Sequence, residues 1–204
     1  MPTEMTLYTI NGSCSDAVVA LCAHLGLPVE LRERRDHDAD LATVNPSRTV
    51  PTLVTDDGLT LTETTAILNH LARSFAAEML GRTPAMRARN DEMLSFLATS
   101  VYNAFLLRFR PDRSAEDPAA QQAIRAMSDA EIAKVLDMLE TRISNQTFAL
   151  GENLTSSDFF LLVMLNWADR IDGGLLRSRP KLAAHFEALK EMPFHARAFG
   201  AQAA

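Results

Sequence analysis

This 204-residue chain has two cysteines, one tryptophan, two tyrosines and no excess of positive charge. Cys14 and Cys22 both lie near the start, without Cys-x-x-Cys or metal-ligand spacing. That excludes a disulfide scaffold and gives no reason to expect a metal. A net charge of −6 argues against nucleic acid or an anionic membrane surface as partner. The longest strictly apolar run, Phe159 to Leu165, is too short to span a bilayer, so no membrane role is expected. The start Met1-Pro2-Thr3-Glu4-Met5 offers neither a basic nor an apolar leader segment. No secretory signal is therefore expected, and the compartment is read as the cytoplasm.

What is present is a globular composition, 47% apolar and 23% charged, with enough chain for one sizeable core or two small domains. The most informative stretch runs from Val50 to Ile67. Asp57-Gly58 between two β-prone runs is a strong hairpin marker, because glycine tolerates the positive φ of a tight turn. Val50-Pro51 is a candidate cis peptide whose bend would turn the Val50 backbone groups outward. Thr62 and Thr64 precede Ala66-Ile67 and open a helix, where free N–H groups and the dipole favour a carboxylate.

Around this stretch the first third alternates strand and helix. Thr6–Ile10 predicts a strand, Ser13–Leu25 a buried helix and Val29–Arg32 a half-buried strand, hence a parallel pair with a right-handed crossover. With the hairpin and a helix ending near Phe75, this predicts a four-stranded mixed sheet. After Gly81 and Pro84 the pattern becomes helical. One helix is predicted over 86–110, and a second long one after Asp117-Pro118. Thr155 and Asp158 fit a capping box, with Leu154 and Phe159 as a hydrophobic staple. The helix they open, apolar all round from Phe159 to Ala168, should sit at the centre of a bundle. Shorter helices follow Pro180 and Pro193. The expected architecture is an α/β domain at residues 1–78 and an all-α domain at 86–204.

Three motifs in this order, Asn45-Pro46-x-x-x-Val50-Pro51, Glu63-Thr64-x-Ala66-Ile67 and Gly151-x-x-Leu154-Thr155-x-x-Asp158, resemble those of a cytosolic glutathione transferase. The resemblance covers essentially the whole chain. The run Met5 to Ser15, with its cysteine at position 14, and Asn166-Trp167-Ala168 look most like the bacterial beta class. The resemblance implies a thioredoxin-like N-terminal domain that binds glutathione as co-substrate. It also implies a helical-bundle domain that supplies a pocket for a small hydrophobic electrophile, and a homodimer. It departs from the beta class at Tyr102-Asn103, where that class usually has a His-Lys pair, and at Arg48, where the family often has glycine.

Residue by residue, Cys14 is the sharpest candidate. Ser13 and Asp16 have capping-box spacing, which would make Ser13 the N-cap and Cys14 the first helical residue. A thiol there would have its pKa lowered by the helix N-terminus. Ser15 and Ser13 are the rival partners of the glutathione sulfur, ranked after Cys14, while Cys22 and Tyr8 read as core. By resemblance, Glu63 and Thr64 would hold the γ-glutamyl end, and Val50 with Pro51 would pair with the cysteinyl backbone. A cation among Arg34, Arg35, His37 and Arg48, with Arg35 taken forward, would meet the glycyl carboxylate. Ile10, Tyr102, Phe105, Phe109 and Trp167 would wall the electrophile pocket, although each also fits a simple core role.

The leading function is conjugation of the glutathione thiolate to a hydrophobic electrophile. The alternatives are a disulfide oxidoreductase that uses Cys14, a non-catalytic relative that binds a ligand or partner, and an isomerase, since Gly12-Ser13-Cys14-Ser15 partly echoes the zeta class.

Overall fold

The computed structural model describes residues 5–200. The leader-free start expected at residues 1–4 and the final residues 201–204 lie outside the described residues. Four strands form one mixed sheet in the order β2-β1-β3-β4. β1 (Met5–Thr9) pairs in parallel with β2 (Val29–Glu33), setting Leu7 opposite Leu31. It pairs antiparallel with β3 (Thr52–Val54), setting Leu7 opposite Leu53, and β3 pairs antiparallel with β4 (Thr60–Thr62). Gly58 takes the positive φ of 85° that the hairpin turn requires. Leu7 and Leu53 are fully buried, whereas β2 is an edge strand whose Leu31 stays 47% exposed, less covered than its alternation suggested.

α1 (Asp16–Leu25) is the crossover helix, and α2 (Arg34–Val44) returns the chain toward the sheet. Sequence reasoning missed α2, because its one buried residue is Leu41 and the rest is a charged run. α3 (Thr64–Phe75) completes the sheet domain, and a 3₁₀ turn over Ala77–Leu80 leads out of it.

The helix predicted over 86–110 is in fact two. α4 (Pro84–Phe96) and α5 (Tyr102–Phe109) are joined by a π-helical stretch over Leu97–Val101. Such a wider turn re-aims the helix face that follows it, and π-bulges recur at functional sites. A short turn at Pro111–Arg113 precedes α6 (Pro118–Arg142). The Asp117 carboxylate caps α6 by accepting the Ala120 N–H at 2.8 Å.

α7 (Ser156–Ile171) is the bundle's centre, with every residue from Ser156 to Leu165 buried. At its capping box the Thr155 N–H donates to Asp158 Oδ2 at 2.7 Å. α8 (Gly174–Arg177), α9 (Pro180–Lys190) and α10 (Pro193–Phe199) follow. α1 packs on α7 and α10, and α3 packs on α7, so one apolar core runs through both halves. Polar bonds pin that seam. Asn90 Nδ2 donates to Ser156 Oγ at 2.9 Å, and Ser156 Oγ donates to Asn69 Oδ1 at 3.3 Å. The result is a thioredoxin-like domain followed by a helical domain.

Candidate functional site

A cavity of about 850 Å³ opens between the sheet and the helices. Its sheet-side wall comes from the loop after β1, with Ile10, Gly12, Ser13 and Cys14, and from Thr49, Val50 and Pro51. Glu63, Thr64 and Thr65, at the start of α3, complete that wall. The facing wall is Tyr102, Asn103, Leu106 and Phe109 of α5 with Trp167 and Arg170 of α7.

The loop after β1 differs from the expected cap. α1 begins at Asp16, so Ser13 is not its N-cap and Cys14 is not its first helical residue. The Asp16 carboxylate reaches back to accept the Gly12 N–H at 3.0 Å, and Ser13 Oγ accepts the Ser15 N–H at 3.2 Å. Short-range polar bonds of this kind compete with helical ones and hold the loop as turns. Ser15 is fully buried and lines no part of the cavity. Its hydroxyl donates to the Ile10 carbonyl at 3.1 Å, accepts the Ile10 N–H at 3.2 Å and lies 2.7 Å from Ser13 Oγ. Ser15 therefore braces the loop, while Ser13 and Cys14 face the cavity.

Cys14 is 9% exposed, and its thiol donates to the Val50 carbonyl at 3.6 Å. The expected lowering of its pKa is overturned. Burial pushes the thiol above its ordinary value, and the nearby Thr64 hydroxyl opposes this only in part. A helix N-terminus stabilises a thiolate only where water or donors remain, and here desolvation is the larger effect. The Cys14 group is a thiol poised to donate a hydrogen bond.

The Val50-Pro51 bond is cis. The neighbouring turn is held by Asn45, whose Nδ2 donates to Thr52 Oγ1 at 2.9 Å and to Thr49 Oγ1 at 3.1 Å. Arg48 has a φ of 51°, a left-handed conformation that glycine adopts more readily. Its guanidinium bonds Asp38 at 3.0 Å. Glu63 is also left-handed, with φ 69° at the N-cap of α3, and such strain in a non-glycine residue concentrates at functional sites. Thr64, the first residue of α3, is buried beside Cys14.

The aromatic wall is a cluster on Trp167, which packs against Phe109 at 5.5 Å with the rings 87° apart and against Tyr102 at 6.0 Å. Both lie within the separations favoured by aromatic pairs. The indole N–H donates to the Gly12 carbonyl at 3.0 Å, tying this wall to the loop that bears Cys14. Burial raises the Tyr102 pKa first, and a charge on Cys14 would add to this, while Arg113 opposes it. Phe105, expected in the wall, is fully buried behind it against Trp167 and does not line the cavity.

Of the expected cations, Arg35 lies outside the cavity and its neighbour Arg34 lines it. Asn103, at the place of the beta-class His-Lys pair, lines it as well, and so do Arg110, Arg113, Arg170, Asn11 and Leu106, which sequence reasoning missed. Arg110 is the C-cap of α5, and Arg113 ends the short turn that follows it. No group of three or more His, Cys, Asp or Glu among the described residues could hold a metal ion. No helix among them is long and apolar enough to cross a membrane.

Comparison with known proteins agrees with this geometry. Family models for the glutathione S-transferase N-terminal and C-terminal domains match residues 12–74 and 96–193. Glutathione S-transferase GstA of Escherichia coli O157:H7 is 28% identical over 202 residues, 93% of this chain and 94% of that protein. A glutathione transferase homologue from Sulfitobacter, solved with bound glutathione, is 25% identical with a TM-score of 0.85, over 95% of this chain and 96% of that one. A bacterial beta-class glutathione S-transferase from Sphingomonas chungbukensis is 26% identical with a TM-score of 0.80, over 97% and 98% of the two chains.

Proposed function

Because this chain belongs to the glutathione S-transferase family and carries both of its domains, we propose that it joins glutathione to a small hydrophobic electrophile in the cavity between them. The observation that supports this most is the convergence of Ser13, Cys14, Val50, Glu63 and Thr64 on one wall, opposite Tyr102, Phe109 and Trp167. Glutathione carries an ammonium, two carboxylates and a thiol, and that wall offers a group for each. Glu63 meets the ammonium, and the Thr64 hydroxyl and N–H at the start of α3 meet the adjacent carboxylate. The Val50 backbone pairs with the cysteinyl residue as a short added strand, and Arg34 answers the glycyl carboxylate.

The glutathione sulfur then lies against Cys14 and Ser13. A protonated Cys14 donates to a thiolate without competing as a nucleophile, and Ser13 Oγ becomes the second donor by turning its proton away from Ser15 Oγ. Donors aimed at the anion lower the bound thiol's pKa and raise the thiolate fraction at neutral pH. The thiolate attacks an electrophilic carbon held against Trp167, forming the carbon–sulfur bond as the leaving group departs with its electron pair. The raised pKa of Cys14 speaks against disulfide exchange as the main reaction, because exchange needs a thiolate on the enzyme. We further propose that the protein acts in the cytoplasm as a homodimer.

The test is to titrate the thiolate absorbance of glutathione bound to the protein and to assay conjugation with 1-chloro-2,4-dinitrobenzene. A bound-thiol pKa well below that of free glutathione, with turnover, is expected. A bound thiol that titrates like the free one would sink the mechanism. Replacing Cys14 by alanine should weaken conjugation without abolishing it.

A further inference from the structure

Among the charged side chains that line the cavity, four are arginines, Arg34, Arg110, Arg113 and Arg170, against the single carboxylate of Glu63. Two of the four are answered locally, Arg34 by Asp38 at 3.2 Å and Arg110 by Asp112 through Nη2 at 2.8 Å. Arg113 makes no ion pair within 4 Å among the described residues, although the Asp112 carboxylate feels its charge. It ends the short turn Pro111–Arg113 just beyond α5, on the electrophile side of the cavity. Its charge also reaches the Tyr102 hydroxyl, whose ionisation it favours. Beside it Phe109 is 44% exposed, a large ring left open to solvent while one side packs on Trp167. An aromatic guest would cover that ring, and stacked or edge-on aromatic pairs add to the gain from burial.

We propose that the second substrate is an aromatic electrophile bearing a carboxylate or similar anionic group, its ring against Phe109 and Trp167 and its charge facing Arg113. This rests on the glutathione transferase reading of the same cavity and narrows its substrate class. Glutathione's own charges are met by Glu63, Arg34 and the start of α3, while Arg110 is held by Asp112 and Arg170 lies against Gly12, so Arg113 is the arginine placed for the partner molecule. For a chloronitrobenzoate the balance is simple. The glutathione sulfur bonds the ring carbon, the carbon–chlorine bond breaks, chloride leaves with the electron pair, and the thiol proton passes to solvent.

The test compares two conjugates that differ by one charge, S-(4-carboxy-2-nitrophenyl)glutathione and its 4-carbamoyl counterpart. Binding is read by quenching of Trp167, the chain's one tryptophan and a cavity residue. The carboxylate is expected to bind about tenfold tighter, the range of a charge-assisted hydrogen bond. Arg113→Ala should collapse that ratio to near one, whatever it does to both affinities, and Arg113→Lys should restore part of it. Arg89→Ala, which removes an exposed arginine paired with Glu92 away from this cavity, should leave the ratio unchanged. Equal affinity for the two conjugates, or a ratio that survives Arg113→Ala, overturns the anionic subsite alone. Failure to bind glutathione or either conjugate overturns the transferase reading with it.

Discussion

The Trp167 indole N–H donates to the Gly12 carbonyl at 3.0 Å across 155 residues of sequence. One hydrogen bond thus fixes the spacing between the loop that carries Ser13 and Cys14 and the helix that walls the cavity. Trp167→Phe keeps an aromatic ring but deletes the donor, leaving the Gly12 carbonyl without this partner. We expect a loss of about 1 kcal/mol in stability. The KM for the electrophile should rise more than the KM for glutathione, because the ring contacts lie on the electrophile side. Chemical denaturation together with steady-state kinetics in both substrates checks this.

Features set by neighbours in sequence were legible before the structure. Asp57-Gly58 marks its hairpin, Val50-Pro51 its cis bond and Thr155 with Asp158 its cap, each because the deciding contact lies within a few residues. The cap of α1 was misplaced because each short polar side chain bonds a donor one residue away from the one a capping box requires. Asp16 takes the Gly12 N–H and Ser13 takes the Ser15 N–H, and spacing alone does not say which pairing is made. The sign of the Cys14 shift was illegible for a different reason. It depends on how much of the thiol Val50, Thr64 and the core cover, which is a tertiary property. Arg113 and Arg170 reach the cavity through the turn after α5 and the far end of α7. No local pattern connects either residue to Cys14.

Ser15 and Ser13 should separate cleanly by substitution. Ser15→Ala removes a fully buried hydroxyl that bonds both the carbonyl and the N–H of Ile10. It is expected to cost about 1–3 kcal/mol, or several degrees in melting temperature for a chain of this size. Ser13→Ala should cost less stability and more activity, since Ser13 lines the cavity and Ser15 does not. Thermal unfolding of both variants beside their kcat values decides it. A Ser15→Ala variant that unfolds like the parent but loses turnover would reverse the assignment.

Burial raises the pKa of both cysteines, Cys22 to about 12. A thiol whose folded pKa lies above its unfolded value holds its proton in the fold while the unfolded chain gives it up. The stability it contributes is complete below the ordinary thiol pKa and is lost as pH rises from there toward the folded value. Stability should therefore fall in alkali, from the ordinary thiol range up to about pH 12 for Cys22. Cys22→Ala should flatten that fall even though it costs some packing at neutral pH. Denaturation midpoints measured through the alkaline range give both slopes. At neutral pH iodoacetamide should alkylate Cys14 far more slowly than free cysteine, and fast labelling there would contradict a protonated thiol.

Glu63 combines a left-handed backbone, φ 69°, with a carboxylate at the cavity wall, and the two roles pull apart under substitution. Glu63→Gln keeps the backbone conformation and removes the charge. Stability should hardly change, while the KM for glutathione rises about tenfold through loss of the ammonium partner. Glu63→Gly removes the side chain and relieves the left-handed strain, against some added freedom of the unfolded chain. Its stability should hold or rise by up to about 1 kcal/mol while glutathione binding falls at least as far as in Glu63→Gln. If the residue were only a helix cap, Glu63→Gly would leave glutathione affinity intact. Calorimetric titration of glutathione against the two variants, set beside their denaturation midpoints, separates a strained ligand contact from a structural one.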